Sequence, residues 1–331
     1  MKRVYLDQNK WIELARAASG QATASATSCL AECRKALADG RASFPLDLER
    51  YFETSKPNSA RWRNDVSRVM AELSRFDGLT LPKLILPMEI DLALQKRAGL
   101  PLEPRYVSVF GRGIAHISGG SVTTPSVPTE LSVEAGTNLG SAWQENAEYL
   151  VLATPPEELW SDQFRQTREA LRRMHHAGRY LAHETGLGRT LREHGWGAGE
   201  RLSHAIAESD FVDIKPVLAE AMWRAGIPPE DFQLVIPRGG IPGFIDDLPT
   251  RAVTCAMRRA RHSQPQQKWT LTDLVDITSL PPAVVYCDVV VTERQWAQRL
   301  TADGTAKRFG TAVIPELAEL TKILQAPTAG N

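Results

Sequence analysis

Two spacings of apolar residues alternate along the chain. Short runs bounded by polar residues predict strands at Val4 to Leu6, Ala42 to Leu46, Val289 to Val291 and Ala312 to Ile314. Val289 to Val291 is β-branched and continuous, as a strand buried on both faces should be. Between these runs the apolar positions recur every three or four residues. Trp11, Ile12, Leu14 and Ala15 make the first helical stripe, and the polar loop Ser19 to Thr23 interrupts it. Leu30, Cys33 and Leu37 continue as a second helix that Asp39-Gly40 ends. Asp47 begins a helix with Leu48, Tyr51 and Phe52, and Arg61 to Leu73 is another. Helical spacing returns over Arg251 to Arg261, Trp269 to Leu280, Arg294 to Leu300 and Pro315 to Leu324. Pro281-Pro282 is expected to stop the second of these four, the one from Trp269. Strands alternating with helices predict an α/β fold with a mostly parallel central sheet flanked by helices.

The middle of the chain reads differently. Leu79 to Leu86 is apolar with two prolines and predicts an edge strand or extended segment; Met88 to Lys96 predicts a short helix. Residues 99–140 are rich in Gly, Pro, Ser and Thr, with Tyr106 to Phe110 and Ile114 to Ile117 able to form a hairpin. From Ser141 to Gly226 the pattern is helical. Pro155-Pro156-Glu157-Glu158 starts one helix, with Phe164, Leu171 and Met174 on its stripe; Tyr180 to His194 and His204 to Trp223 are others. The expected organisation is therefore an N-terminal part of the core over 1–98, a loop-rich then helical insertion over 99–228, and a C-terminal part of the core over 229–331.

Composition narrows the classes. Lys+Arg and Asp+Glu are equal at 39 each. Overall charge thus gives no strong non-specific attraction to nucleic acid or membrane, and any such contact needs a local basic groove. No apolar run is long enough to span a bilayer, and Met1-Lys2-Arg3 leads into a strand rather than a signal-peptide core. Four cysteines are too sparse for a disulfide framework. Cys29 and Cys33 lie one helical turn apart without a second ligand pair for zinc. A cytoplasmic protein with reduced thiols is expected.

Candidate chemistry rests on acids. Asp7 and Glu293 follow strands at their carboxyl ends, where α/β sheets place ligands. Glu53 lies in the helix after the second strand, and Asp276 in the helix before the Val289 strand. Asp7 is equally a helix cap by its position. Carboxylates meeting in one cleft repel each other unless a cation joins them. Hard oxygen donors with room for water suit Mg²⁺ or Mn²⁺, which activates water and steadies in-line displacement at phosphorus. Arg251, Arg258, Arg259, Arg261 and Lys268 lie just before the Asp276 helix, placed to contact phosphates or to form a solvated face. His175, His176 and His183 stand among Arg165, Arg168, Arg172, Arg173 and Arg179, a basic face or a solvated helix paired with Glu169 and Glu184.

Leu6-Asp7-Gln8-Asn9, Glu53, the pair Asp273 and Asp276, and the run Tyr286-Cys287-Asp288-Val289-Val290-Val291-Thr292 together resemble the PIN domain, a metal-dependent nuclease fold, in its larger diverged members. The resemblance covers roughly residues 1–90 and 230–325. It implies a PIN-like three-layer fold and a metal-dependent ribonuclease that leaves a 5′-phosphate. Asp7 matches the first-strand metal ligand, Glu53 the early-helix acid and Asp276 the acid before the last catalytic strand. Asp273 is then a cap or supports the ligands from behind. The fourth ligand is Glu293, which stands where the family usually has Asp, or Asp288 before the strand. Asn9 and Thr292 are polar positioners of a carboxylate or the attacking water, or turn caps. RNA is the implied substrate, with an antitoxin, another protein or a second copy as partners, and no membrane. Two other readings stay open: a PIN-like module that binds RNA or protein without cleaving, and a phosphohydrolase acting on small phosphate esters.

Overall fold

A computed structural model describes residues 1–56, 59–99, 103–124, 136–154, 177–228, 231, 236, 239–264, 266 and 268–326. Its strands are β1 (Lys2–Leu6), β2 (Ala42–Ser43), β3 (Asp77–Leu79), β4 (Phe110–Arg112), β5 (Val289–Val291) and β6 (Ala312–Ile314). Four of them form one parallel sheet in the order β2-β1-β5-β6. β3 and β4 pair antiparallel beside it, tied to the sheet's margin by Leu46 through backbone bonds of 2.8 Å to Asp77 and Leu79.

The sheet is buried on both sides, and side-chain alternation divides its residues. Val4, Leu6, Val289 and Val291 enter one core with Trp11 and Leu14 from the helix Gln8–Ala18 and Leu30 and Cys33 from Ala24–Ala38. Tyr5, Val290 and Val313 enter the opposite core with Leu280 and Val284 from Leu271–Tyr286 and Trp296 and Leu300 from Arg294–Ala302. The chain therefore crosses from β1 to β2 over one face and from β5 to β6 over the other. Between β1 and β5 the two crossovers leave in opposite directions. That boundary is the topological switch point of the sheet, where open α/β sheets form their crevice at the carboxyl ends of the strands.

A third apolar core joins the helices Pro82–Ala98, Ala177–Glu193, Gly199–Arg224, Gly240–Asp246 and Pro249–His262, around residues such as Ile90, Leu94, Ile206, Phe211 and Phe244. The expected breaks at 98/99 and 228/229 do not coincide with a change of core. Phe110–Arg112 completes the small sheet, and Ile114, Ala147 and Val151 pack in the first core. The third core draws helices from both sides of 99–228. No described helix is long and apolar enough to cross a membrane.

Three local expectations change. Leu79 to Leu86 is not extended: β3 ends at Leu79 and a helix starts with Pro82 in its first turn, where a missing N–H costs nothing. The proposed hairpin is instead β4 followed by the helix Gly113–Ile117. Pro281-Pro282 does not stop its helix, which runs from Leu271 to Tyr286. The two prolines forfeit two backbone donors, but Leu280, Ala283 and Val284 carry the apolar face onward into the core, and that burial holds the turn helical. Pro155 to Glu158, Phe164, Leu171, Met174, His175, His176, Arg165, Arg168, Glu169, Arg172 and Arg173 lie outside the described residues, as does the side chain of Arg179.

Glu89 fastens the helical body to the sheet. Buried, it accepts bonds from the Thr250 backbone at 3.1 Å and hydroxyl at 2.7 Å, and from the Tyr286 hydroxyl at 2.9 Å. Glu89→Ala strands three donors and is expected to cost about 1–3 kcal/mol per buried group left unpaired. Urea unfolding measures it, and Glu89→Gln should recover part of the loss.

Candidate functional site

Asp7 stands at the end of β1, on the switch-point crevice. It is the N-cap of Gln8–Ala18: its Oδ1 accepts the Gln8 backbone N–H at 2.7 Å. The same oxygen accepts Nη1 of Arg50 at 2.6 Å, and Oδ2 accepts the Thr292 hydroxyl at 3.0 Å. Thr292 is there because β5 lies beside β1 in register, Leu6 opposite Val291. Residues nearly a whole chain apart in sequence thus share one carboxylate.

Arg50, which sequence reasoning passed over, is the cation of the site. Its side chain is fully buried on the helix Leu48–Thr54. The guanidinium meets Asp7, Glu53 at 3.2 Å and Asp47 at 3.6 Å. Asp47 caps that helix by accepting the Arg50 backbone N–H at 2.9 Å, and also accepts the Tyr5 hydroxyl at 2.6 Å. Burial raises the carboxyls of Asp47 and Glu53 above their ordinary range, with Arg50 pulling the other way. The spacing Asp47, Arg50, Glu53 could have revealed this: three residues apart, the side chains lie along one helix face.

Asp276 faces the same crevice from the helix Leu271–Tyr286. It accepts Nε1 of buried Trp296 at 2.7 Å. Burial, then the charge of Asp7, push its carboxyl up to about 8; Glu293 adds to this, while the Trp296 bond and Arg50 oppose it. Glu293 holds the N-cap position of Arg294–Ala302 without capping it; half-buried at the rim, it accepts Gln295 Nε2 at 3.2 Å. Asn9 and Gln8, in the first turn after Asp7, each keep a buried side-chain oxygen that meets no donor among the described residues.

Other candidates lie elsewhere. Asp288 precedes β5, so it sits at the amino end of the strands, exposed, accepting the Arg3 backbone N–H at 2.7 Å. It cannot share an ion with Asp7 at the opposite end. Asp273 is engaged in a capping box with Thr270 and in an ion pair with Arg261 at 2.8 Å. The basic helix turns inward. Arg251 pairs with Asp210, Arg258 with Glu184 at 2.8 Å and Asp210 at 3.2 Å, and Arg261 with Asp273. Those three arginines neutralise the protein's own buried acids and are not a face for phosphates. Arg259 is half-exposed and Lys268 exposed. His183 bonds the Ser209 hydroxyl at 2.8 Å.

Among the described residues no three His, Cys, Asp or Glu side chains are grouped to hold a metal ion. Glu53 is drawn to Arg50, which leaves Asp7 and Asp276 as the opposed pair. Two carboxylates with water completing the shell are the donor set that suits Mg²⁺, and the orphaned oxygens of Gln8 and Asn9 can accept hydrogen bonds from such water. The residues present therefore fit a two-carboxylate site for Mg²⁺ or Mn²⁺, with Glu293 at its edge. Comparison with protein-family models, curated proteins and solved structures gave no match for the chain.

Two stability measurements check these electrostatics. Arg50→Met leaves Asp7, Asp47 and Glu53 without their buried cation and is expected to cost about 3–5 kcal/mol at pH 7. The cost should shrink at pH 5, where the unpaired carboxyls take up protons. Asp276 keeps its proton to about pH 8 when folded, whereas an unfolded Asp loses it near about pH 4. The folded state binds the extra proton between those values, so stability falls as pH rises across that window. Asp276→Asn should flatten this fall in Tm, measured in EDTA between pH 5 and pH 9.

Proposed function

We propose that the protein is a metal-dependent nuclease of PIN-like fold acting on RNA phosphodiester bonds. The observation that carries the reading is the opposition of Asp7 and Asp276, two buried carboxylates at the switch point of a parallel sheet. The PIN-like order of acids along the chain supports it, from strand-end Asp7 through Glu53 to Asp276 and Glu293.

Asp7 and Asp276 would hold Mg²⁺ or Mn²⁺. Such an ion supplies Lewis acidity toward a phosphodiester oxygen and lowers the pKa of attacking water. The chain's own groups do the positioning. Arg50, the Gln8 N–H and the Thr292 hydroxyl fix the plane of the Asp7 carboxylate, so it enters the reaction already oriented. Trp296 fixes one oxygen of Asp276 by a hydrogen bond from its indole N–H. Asn9 and Gln8 offer acceptors for a water proton beside Asp7. Glu293 at the rim adds negative charge, which favours a bound cation.

A second reading has its own observation. Arg50 already supplies a cation to Asp7 and Glu53, as in a module that binds RNA or protein without cleaving. Calorimetry with Mn²⁺ separates the two: the nuclease reading expects one ion per chain, the other none.

Asp7→Asn is expected to lower cleavage of a single-stranded RNA oligomer in Mn²⁺ by on the order of 10²-fold or more. Thr292→Val, which removes only the hydroxyl behind Asp7, should weaken Mn²⁺ binding or activity by about 10- to 100-fold. Unchanged cleavage by purified Asp7→Asn protein rejects the assignment.

A further inference from the structure

Lys10 is the one buried lysine among the described residues; the others stand exposed or half-buried. It is only 7% exposed, yet the charge at its end is poorly met. Its ion pair is with Glu13 at 3.7 Å, longer than a hydrogen bond, and the Glu13 side chain is itself 46% exposed. The ammonium donates no hydrogen bond to a described residue. A lysine is almost never buried this far without a close counter-ion. The stem is covered but the tip still meets solvent, since the ammonium is not among the sealed atoms that lack a hydrogen-bond partner. The function proposed above gives this residue no role.

The helix Gln8–Ala18 fixes where that tip lies. Long helical side chains lean toward the amino end, over the residue three or four before. For Lys10 that residue is Asp7, the N-cap. Its flank follows from Gln8, which donates to the Thr54 hydroxyl at 3.1 Å and so faces the helix Leu48–Thr54 that follows β2. Two residues on, Lys10 lies roughly 200° further round the helix, on the flank away from β2. β5 lies on that side of β1, and Thr292 and Glu293 follow it. Lys10 therefore stands at the carboxyl ends of β1 and β5, where Asp7 receives the Thr292 hydroxyl. Arg50 comes from the β2 flank and spends its charge on Asp7, Asp47 and Glu53.

The acids of the crevice draw a metal ion but repel the phosphates of RNA. A cation left unmet by the protein's own acids offsets that repulsion. An ammonium is a compact charge with three donors, and a phosphate oxygen can complete its shell. We infer that Lys10 is a substrate-binding residue that receives an RNA backbone phosphate laid across the ends of β1 and β5. The inference rests on the reading above only for RNA as the polyanion, and it concerns binding, whether or not the strand is cut.

Fluorescence anisotropy of a labelled single-stranded RNA oligomer, titrated with the protein in EDTA, tests this without cleavage. Lys10→Met keeps the stem and removes the charge. It should weaken binding about tenfold at low salt and flatten the slope of log K against log [KCl] by about 0.7, one phosphate contact on a single strand. Lys10→Arg should keep the slope. The charge is costly where it stands, so the Tm of Lys10→Met should equal or exceed that of the wild type, which a lysine held for structure would not allow. Lys10→Gln repeats the measurement if Lys10→Met does not fold. An unchanged slope in a folded variant overturns the assignment, and if wild-type cleavage in Mn²⁺ is normal it overturns the assignment alone. Wild-type protein that binds no RNA overturns both readings. Binding that depends on Lys10 in a protein that cuts nothing in Mn²⁺ upholds the assignment and removes the nuclease.

Discussion

A guanidinium with no exposed surface must be surrounded by negative charge, because moving it out of water costs several kcal/mol that only close carboxylates can offset. Arg50 meets this demand with Asp7, Asp47 and Glu53, and the architecture around it follows. Asp7 closes β1 and opens the first helix. Asp47 opens the helix that carries Arg50 and holds Tyr5, the residue two before Asp7. Sheet, first helix and third helix are thereby fixed to one another through a single cation. Asp276, further from it, lies in a site with more acid than base and answers by keeping its proton.

The part of this arrangement that was legible in sequence is the part dictated by short-range pattern. Val289 to Val291 and Ala312 to Ile314 form strands over the residues expected, because β-branched runs bounded by polar residues have few alternatives. Where a strand lies next to a particular neighbour was not legible, and that pairing is what brings Thr292 to Asp7. Position relative to a strand was informative when read with direction: Asp7 and Glu293 follow their strands, while Asp288 precedes one and so falls at the far end of the sheet. Arg251, Arg258 and Arg261 were misread because spacing shows that they share a helix side but not what faces it. Asp210, Glu184 and Asp273, on other helices, turn that side inward. Pro281-Pro282 was read by local cost alone, and the core that outweighs it is non-local.

The helix Leu271–Tyr286 works on two sides. One presents Asp276 to the crevice, held by Trp296; another, with Leu274, Ile277 and Thr278, lines a cavity of about 340 Å³ shared with Ile214 and Val217. The helix is also anchored at both ends, by its capping box with Arg261 and by Tyr286 on Glu89.

The bond from Thr292 to Asp7 spans 285 residues. During synthesis β1 emerges long before its β5 partner. At ordinary elongation rates of about 5–20 residues per second, roughly 15 to 60 s separate them. Throughout that interval one edge of β1 lacks its native neighbour, and the carboxylate at its tip lacks the hydroxyl that orients it. Completion of the crevice therefore waits for β5: a translation product that stops short of it would carry Asp7 and Arg50 but no assembled site, and would expose an open strand edge for chaperones or proteases to recognise.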